Sequence, residues 1–344
     1  MGPDLWFLYR QMLRSRRFEE AVKRLWEQGR ISGEMHLGTG EEALAAGVVS
    51  HLRDGDAMAL DHRGTPPLVV RGVDLVLLLR EMLGDPGGLC AGMGGHMHLF
   101  SREHLAASTG IVGAGGPLAV GFALAAQLLR PGNVAVAFFG DGAMNQGMLL
   151  EALNLAAIWK LPLLFVCKHN AWAITTRSEA VTGGDLAQRV QGFGVPVSAV
   201  DGTEVESVWQ AAALAIDGAR RGQGPHFLLA TCLRLDGHFL GRGFSGAISY
   251  PFSRVRESAA PIMHAFWQRK GIGPAQRAAA WAALLGMMSK AVMPRRHPGD
   301  PLRKARSKLT SDPGRLRALE EEVEREIRDV VTVALAGERG SGGR

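Results

Sequence analysis

The 344-residue sequence predicts an α/β fold, a mostly parallel sheet with helices on both faces and a helical appendage at the C-terminal end. Three stretches carry that prediction. Val134-Ala135-Val136-Ala137-Phe138-Phe139 and Leu161-Pro162-Leu163-Leu164-Phe165-Val166-Cys167 are short apolar runs of the kind that form strands buried on both faces. Between them, residues 148–159 carry apolar side chains at helical spacing and complete a βαβ unit. Its right-handed crossover makes the two strands parallel, ending at one edge. Far downstream, residues 315–336 place Leu316, Leu319, Val323, Ile327, Val330 and Val331 on one helical face, opened by Ser311-Asp312-Pro313.

From the N-terminus, residues 4–28 read as an amphipathic helix with Leu5, Leu8, Met12, Val22, Leu25 and Trp26 on its apolar side and Gly29 as its stop. A Gly-rich loop over 31–40 contains His36, and 41–52 is a second helix. Ala57-Met58-Ala59-Leu60 is a short strand running into Asp61-His62-Arg63-Gly64. A helix over 74–83 precedes a glycine-dense loop, 84–95, that leads to His96-Met97-His98. Gly110-Ile111-Val112-Gly113-Ala114-Gly115-Gly116 opens a small-residue helix, 117–129, suited to very close packing. After Asn170 a loop runs to 184, then a strand over 195–200 ends in Asp201-Gly202. A helix spans 204–220, and a last strand, 226–233, runs into Asp236-Gly237-His238. Residues 244–298 change texture and read as an atypical insert with an Ala/Met-rich helix at 275–293. The C-terminal helical segment covers 299–336, and 337–344 is a polar tail expected to be disordered. No internal repeat is present.

A hydrophobic content of 47% allows a sizeable core, and a length of 344 residues suits one large α/β domain with an appendage. The net charge of +6 is spread along the chain, and there is no aromatic interleaving of the kind single-strand binders use, which argues against nucleic acid. Cys90, Cys167 and Cys232 are odd in number and lack CxxC spacing, so buried thiols in a reducing compartment are expected. The apolar runs are too short and interrupted for a membrane span, and a cytoplasmic protein is expected.

The βαβ unit places Asp141 and Asn170 at the carboxyl ends of neighbouring strands, where open α/β sheets put their ligands. Gly140 and Gly142 flank the Asp and let backbone approach a bulky anion closely. A carboxylate beside an amide oxygen suits a hard cation such as Mg²⁺, which also binds phosphate oxygens. The local chemistry points to a metal-bridged diphosphate.

Gly140-Asp141-Gly142 with Asn170 resembles the thiamin diphosphate motif. The wider set Phe139-Gly140-Asp141-Gly142-Ala143-Met144-Asn145-Gln146-Gly147, Glu151-Ala152, Asn154, Trp159 and Leu161-Pro162 resembles the alpha subunit of the decarboxylating first component of 2-oxoacid dehydrogenase complexes, of pyruvate, acetoin or branched-chain type. The resemblance runs from about 12 to 238 and resumes over 300–336. It implies a thiamin diphosphate-binding fold over 1–243. It also implies Mg²⁺ held by Asp141, Asn170 and the Trp172 carbonyl, with Gly142 and Ala143 N–H groups on phosphate, helped by the N-terminus of the following helix. By the same resemblance His62-Arg63 would meet the diphosphate, and Gly110 and Val112 the aminopyrimidine ring. His36 would lie near the 2-oxo acid, and His238 at the active-site mouth, near the diphosphate of the cofactor. The implied partners are a beta subunit in an α₂β₂ assembly and a lipoyl-bearing acyltransferase. The chain alone would then be inactive, because the glutamate that activates the pyrimidine belongs to the beta subunit.

Two departures from the family pattern stand out. The usual Cys-Glu-Asn-Asn is Cys167-Lys168-His169-Asn170, which puts a base beside the expected cation site, and Thr65-Pro66 replaces a His-Gly pair. They raise a rival reading, a non-catalytic paralogue that keeps the fold and subunit contacts. His96 and His98 lack a third ligand for zinc, and the family's Gly-Gly-x-Met-His pattern accounts for them. A Mg²⁺-dependent nucleotide or phosphate-binding enzyme is weaker still, because neither GxGxxG after a first strand nor a Walker lysine is present. Ala143-Met144-Asn145-Gln146-Gly147 and the short lead before the first helix lean toward the pyruvate and acetoin types.

Overall fold

The computed structural model describes residues 2–174, 176–240, 273, 275–279, 282 and 299–338. The N-terminal helix α1 (Leu5–Glu27) is capped by Asp4, whose carboxylate accepts from Trp6 N and Phe7 N. It is followed by α2 (Glu42–Val49), β1 (Ala57–Leu60), α3 (Thr65–Arg71) and α4 (Leu75–Leu83). The short strands β2 (Phe100–Ser101) and β3 (Ala106–Ser108) precede α5 (Gly115–Leu129) and β4 (Ala135–Gly140). A single 3-10 turn, Asp141–Asn145, leads into α6 (Gly147–Ile158) and β5 (Leu163–His169). The hairpin β6 (Trp172–Ala173) and β7 (Thr176–Arg177) is followed by α7 (Leu186–Gln191), β8 (Val197–Asp201), α8 (Val205–Arg220) and β9 (His226–Thr231). Helices α9 (Pro301–Ser307) and α10 (Pro313–Glu338) end the described chain.

Among the described residues the main sheet has seven strands in the order β2-β3-β1-β4-β5-β9-β8. Every pairing is parallel except β2 with β3. The central strands alternate side chains between two cores, as pleated strands must. Met58, Leu60, Val136, Phe138, Leu164, Val166 and Leu228 join α1, α2, α4, α8 and α10 on one face. Ala57, Ala59, Phe139, Phe165, Cys167 and Phe227 meet α5, α6 and Val190 of α7 on the other. The result is a three-layer α/β/α arrangement. The βαβ unit is as expected: Gly140 of β4 pairs with Lys168 of β5 at the carboxyl edge.

Helix α10 buries Leu316, Val323, Ile327 and Ala334. Its polar side docks on α1 through Arg14 to Glu326 (2.6 Å), Arg10 to Glu322 (2.7 Å) and Tyr9 Oη donating to Glu320 (2.7 Å).

Several elements differ from the sequence reading. Helix α3 has no counterpart in the sequence reading; its Pro66 and Pro67 stand in the first turn, where proline sacrifices no intrahelical bond. Strands β2, β3, β6 and β7 are two or three residues long, too short for a period to register. Helix α7 is also short, and Asp185 caps it by accepting from Gln188 N at 2.9 Å. Helix α9, capped by Asp300 ahead of Pro301, lies within the expected C-terminal helical segment, which is broken into two helices. The last strand stops at Thr231 rather than 233, and α10 continues to Glu338, two residues into the expected tail. Residues 339–344 lie outside the described residues, as does the expected insert 244–298 except for 273, 275–279 and 282. Of the expected 275–293 helix, the described positions 275–279 and 282 are helical. No helix among the described residues is long and apolar enough to cross a membrane. The three cysteines are free, with Cys167 and Cys232 buried.

Candidate functional site

Because β1, β4, β5 and β9 run parallel, the segments that follow Leu60, Gly140, His169 and Thr231 all leave the same edge of the sheet. Two groups of polar side chains gather there, joined by a third.

The first group centres on Asp141, which is 1% exposed. Its Oδ2 accepts from Ser178 Oγ at 2.6 Å and faces His169 Nδ1 at 2.9 Å, while Oδ1 is buried without a partner among the described residues. A buried carboxylate oxygen with nothing to accept from is costly unless an external cation or donor answers it. Among the described residues Asn170 Oδ1 accepts only the Trp172 N–H, at 3.1 Å, which leaves it a lone pair. The residues around that amide are held in left-handed backbone, Ala171 at φ 63° and Ile174 at φ 55°, a conformation that costs non-glycine residues energy and collects at functional sites. Trp172 is half exposed, with the Arg177 guanidinium 5.4 Å over its ring. A Cβ on Gly142 would stand 2.8 Å from Ala173 Cβ, so only glycine lets the 3-10 turn close against the hairpin. Gly142 and Ala143 belong to that turn, and α6 begins only at Gly147, so the expected helix N-terminus is displaced along the chain.

The second group surrounds Arg63, which is 2% exposed. Its guanidinium donates to Leu37 O and His238 O, and among the described residues it forms no ion pair. Burial, then Arg234, pulls it down to about 10, so it stays charged at neutral pH. His36, His62, His96 and His238 crowd around it. The His36 ring stacks on His96 at 5.3 Å and meets His62 and His238 edge-on at 4.8 and 5.2 Å. Burial and the nearby guanidinium groups lower all four, His36 and His96 to about 4 and His62 and His238 to about 3, so all are neutral at pH 7. One nitrogen each of His36, His62 and His238 lies within 4.8 Å of the others. Metal binding there is disfavoured, because His238 Nδ1 lies 3.0 Å from Arg234 Nη1 and 3.4 Å from Arg63 Nη2, two cationic donors.

Lys168 joins the two groups. The pleat puts it on the α1/α2 face with Val166, opposite Cys167 and His169, so its ammonium is not beside Asp141. Lys168 Nζ donates to Glu41 Oε2 at 2.6 Å and to Asp61 Oδ1 at 3.0 Å, and Asp61 Oδ1 accepts the Arg63 N–H at 3.0 Å. Burial pulls the ammonium down, but Asp61 and Glu41 outweigh it and raise it. Burial likewise pushes the Asp61 carboxyl up, and Lys168 and His62 overcome this to hold it at about 2. The anticipated clash of a base with the cation site therefore does not arise.

Glu19 supports the His36 loop from behind. Its Oε1 accepts Gly38 N at 3.0 Å, while Oε2 is buried without a partner. Burial, reinforced by Glu42 and Glu41, pushes this carboxyl up to about 8 from an ordinary 4.5. A folded value above the unfolded one gives stability that is full below about 4.5 and lost as pH rises toward about 8. In urea unfolding between pH 5 and 8, Glu19→Gln is expected to remove a slope of up to roughly 1.4 kcal/mol per pH unit. Parallel wild-type and variant curves would exclude this role for Glu19.

Comparison with known proteins decides the family: the dehydrogenase E1 component family matches residues 10–241. The chain belongs to the dehydrogenase E1 component family.

Within the E1 family, the chain is 44% identical over 236 residues to the alpha subunit of acetoin:2,6-dichlorophenolindophenol oxidoreductase of Cupriavidus necator, covering 68% of this chain and 71% of that one. It is 40% identical over 240 residues to the pyruvate dehydrogenase E1 component subunit alpha of Zymomonas mobilis, covering 68% and 67%. Transketolase from Campylobacter jejuni shares the fold at a TM-score of 0.50 and 20% identity, over 67% of this chain and 38% of that one. In this E1 chain the edge brings His36, His62, Arg63 and His238 together, and Asp141, Gly142, Asn170 and Trp172 together. Gly110 lies beside Met97 and His98, and Val112 is exposed. Sequence reasoning missed Glu41, Asp61 and Ser178, whose partners Lys168 and Asp141 are distant in sequence, and Arg234, which meets His238 four residues on. It also missed the role of His96, which a doublet at i, i+2 does not reveal.

Proposed function

We propose that this chain is the alpha subunit of a thiamin diphosphate-dependent first component acting on a 2-oxo acid or an acetoin-type substrate. The observation that carries the reading is the pairing, at one sheet edge, of a buried Asp141 carboxylate oxygen and a buried cation, Arg63, neither of which has an ionic or hydrogen-bonding counter-charge among the described residues. Asp141 and Asn170 would hold Mg²⁺, with Trp172 contributing its carbonyl. Their oxygen donor set fits that ion, and Mg²⁺ would supply positive charge for the diphosphate. Arg63 and His62 would bind the same anion from the β1 side, with Gly142 and Ala143 N–H groups beside it. Thiamin diphosphate supplies an electron sink for the carbanion that decarboxylation leaves. His36 and His238, part-buried and neutral, would line the mouth and orient the substrate. Gly110 and Val112 would lie along the pyrimidine, and acyl transfer would go to a lipoyl group on a separate acyltransferase.

A beta subunit in an α₂β₂ assembly is the proposed partner. Leu128 and Leu129 of α5, Ile158 of α6 and Trp159 after it, and Ile111 and Val112 are exposed apolar side chains that such a partner would cover. Of the three departures behind the non-catalytic alternative, Lys168 is paired with Glu41 and Asp61 away from Asp141, Thr65 is buried in α3, and His169 lies 2.9 Å from Asp141 Oδ2. Calorimetry of the co-expressed alpha and beta chains is expected to show Mg²⁺-dependent thiamin diphosphate binding. An assembled pair that binds none would assign the chain to the non-catalytic reading.

A further inference from the structure

One peptide group, between Leu37 and Gly38, is held from both sides. Its carbonyl, Leu37 O, accepts from the Arg63 guanidinium. Its N–H, on Gly38, donates to Glu19 Oε1 at 3.0 Å. The packing there is tight, because a Cβ on Gly38 would stand 2.7 Å from Pro66 Cγ and 3.6 Å from Glu19 Oε1. A peptide with a cation on its carbonyl and an acid on its N–H is polarised along one line. Each of the two hydrogen bonds therefore strengthens the other.

Glu19 differs from the other acids behind this loop. Glu41 has the Lys168 ammonium at 2.6 Å, and Glu42 has Arg16 Nε at 2.5 Å. Glu19 is 2% exposed, and among the described residues its Oε2 has no partner. The charged groups that face it are Glu42 and Glu41 of α2 and Arg63 after β1, while α3 contributes the apolar Pro66. Burial, then the two carboxylates, favours its neutral form. The Gly38 N–H and Arg63 favour the ion, and the acid titrates at about 8.

We propose that Glu19 is a positioning residue for Arg63, one that couples a buried proton to the binding of a diphosphate. When Glu19 is neutral it draws weakly on the Gly38 N–H, and Leu37 O competes less for the guanidinium. When it is ionised it deepens the negative charge on Leu37 O through the shared peptide and holds the guanidinium there. Its own charge also opposes an incoming anion. Both effects have the same sign. Affinity is full while Glu19 is protonated and falls as pH rises through about 8. The coupling is reciprocal. An anion that neutralises Arg63 removes a charge that favours ionised Glu19, so binding takes up a proton.

The identity of the anion rests on the proposed function; the coupling of Glu19 to Arg63 does not, and two measurements separate them. In the full chain, the infrared carbonyl band of a neutral carboxyl is read as the difference between wild type and Glu19→Gln. It is expected at pH 7, to fade as pH rises through about 8, and to fade only at higher pH in Arg63→Gln. A band absent at pH 7, or one that titrates alike with and without Arg63, overturns the coupling. In the assembled enzyme, calorimetry of thiamin diphosphate with saturating Mg²⁺, in HEPES and in Tris, counts the protons taken up. At pH 8 the wild type is expected to take up to about half a proton more than Glu19→Gln. Between pH 7 and 9 its affinity relative to that variant is expected to fall by up to about tenfold. Equal uptake and parallel affinity profiles in the two overturn the linkage. An assembly that binds no thiamin diphosphate defeats the proposed function, while the infrared titration still decides the coupling.

Discussion

Replacing Lys168 with methionine is expected to destabilise the chain by about 3–5 kcal/mol at pH 7, because it strands Glu41 and Asp61 as facing buried carboxylates. Lys168 and Glu41 are each 4% exposed at the side chain and Asp61 14%, so solvent screens little of the loss. The deficit should also shrink on acidification. In the wild type Asp61 is held at about 2, so its contribution is full above the ordinary carboxylate value and lost as pH falls toward 2. Without the ammonium, burial and the neighbouring carboxylate raise Asp61, and the penalty of the facing pair is present at neutral pH and relieved as Asp61 protonates. Urea unfolding at pH 7 and pH 5 reads both effects. A deficit under about 1 kcal/mol, or one that grows at pH 5, would show that the triad does not act as a unit.

Asp141→Asn is expected to weaken Mg²⁺-dependent thiamin diphosphate binding by the assembled component by at least about 100-fold, with little loss of fold stability. The carboxylate charge goes while the shape stays, and an amide can still accept from Ser178. The amide nitrogen that takes the place of Oδ1 also lacks a protein partner among the described residues, but a neutral amide is cheaper to bury than a carboxylate. Calorimetric titration of the cofactor at saturating Mg²⁺, beside a thermal melt of the same sample, separates loss of binding from loss of fold. Undiminished affinity in the variant would remove Asp141 from the metal site.

The central sheet and the position of Asp141 were legible because both rest on local pattern: apolar runs of strand length and glycines around an acid. The C-terminal helix was legible for the same reason, as Val323 and Ile327 keep the period that buries them. Lys168 was not. Its meaning depends on Glu41 and Asp61, 127 and 107 residues away, and on which face of β5 it occupies. Arg63 could be recognised as important from its place after a strand, but its burial could not, since that depends on His238 and Leu37 closing over it. His96 reads in sequence as half of a doublet, and only the fold shows that it sits against His36.

The docking of α10 on α1 bears on how the chain is made. Tyr9 and Glu320 are 311 positions apart, and Arg14 and Glu326 are 312. At roughly 5–20 residues per second, α1 therefore leaves the ribosome some tens of seconds before the helix that completes its cover. Through that interval the α10-facing side of α1 has only solvent or a chaperone for company, however early the sheet assembles. Shortening the chain before α10 makes that transient exposure permanent, so the cost of a C-terminal deletion falls on the first helix synthesised.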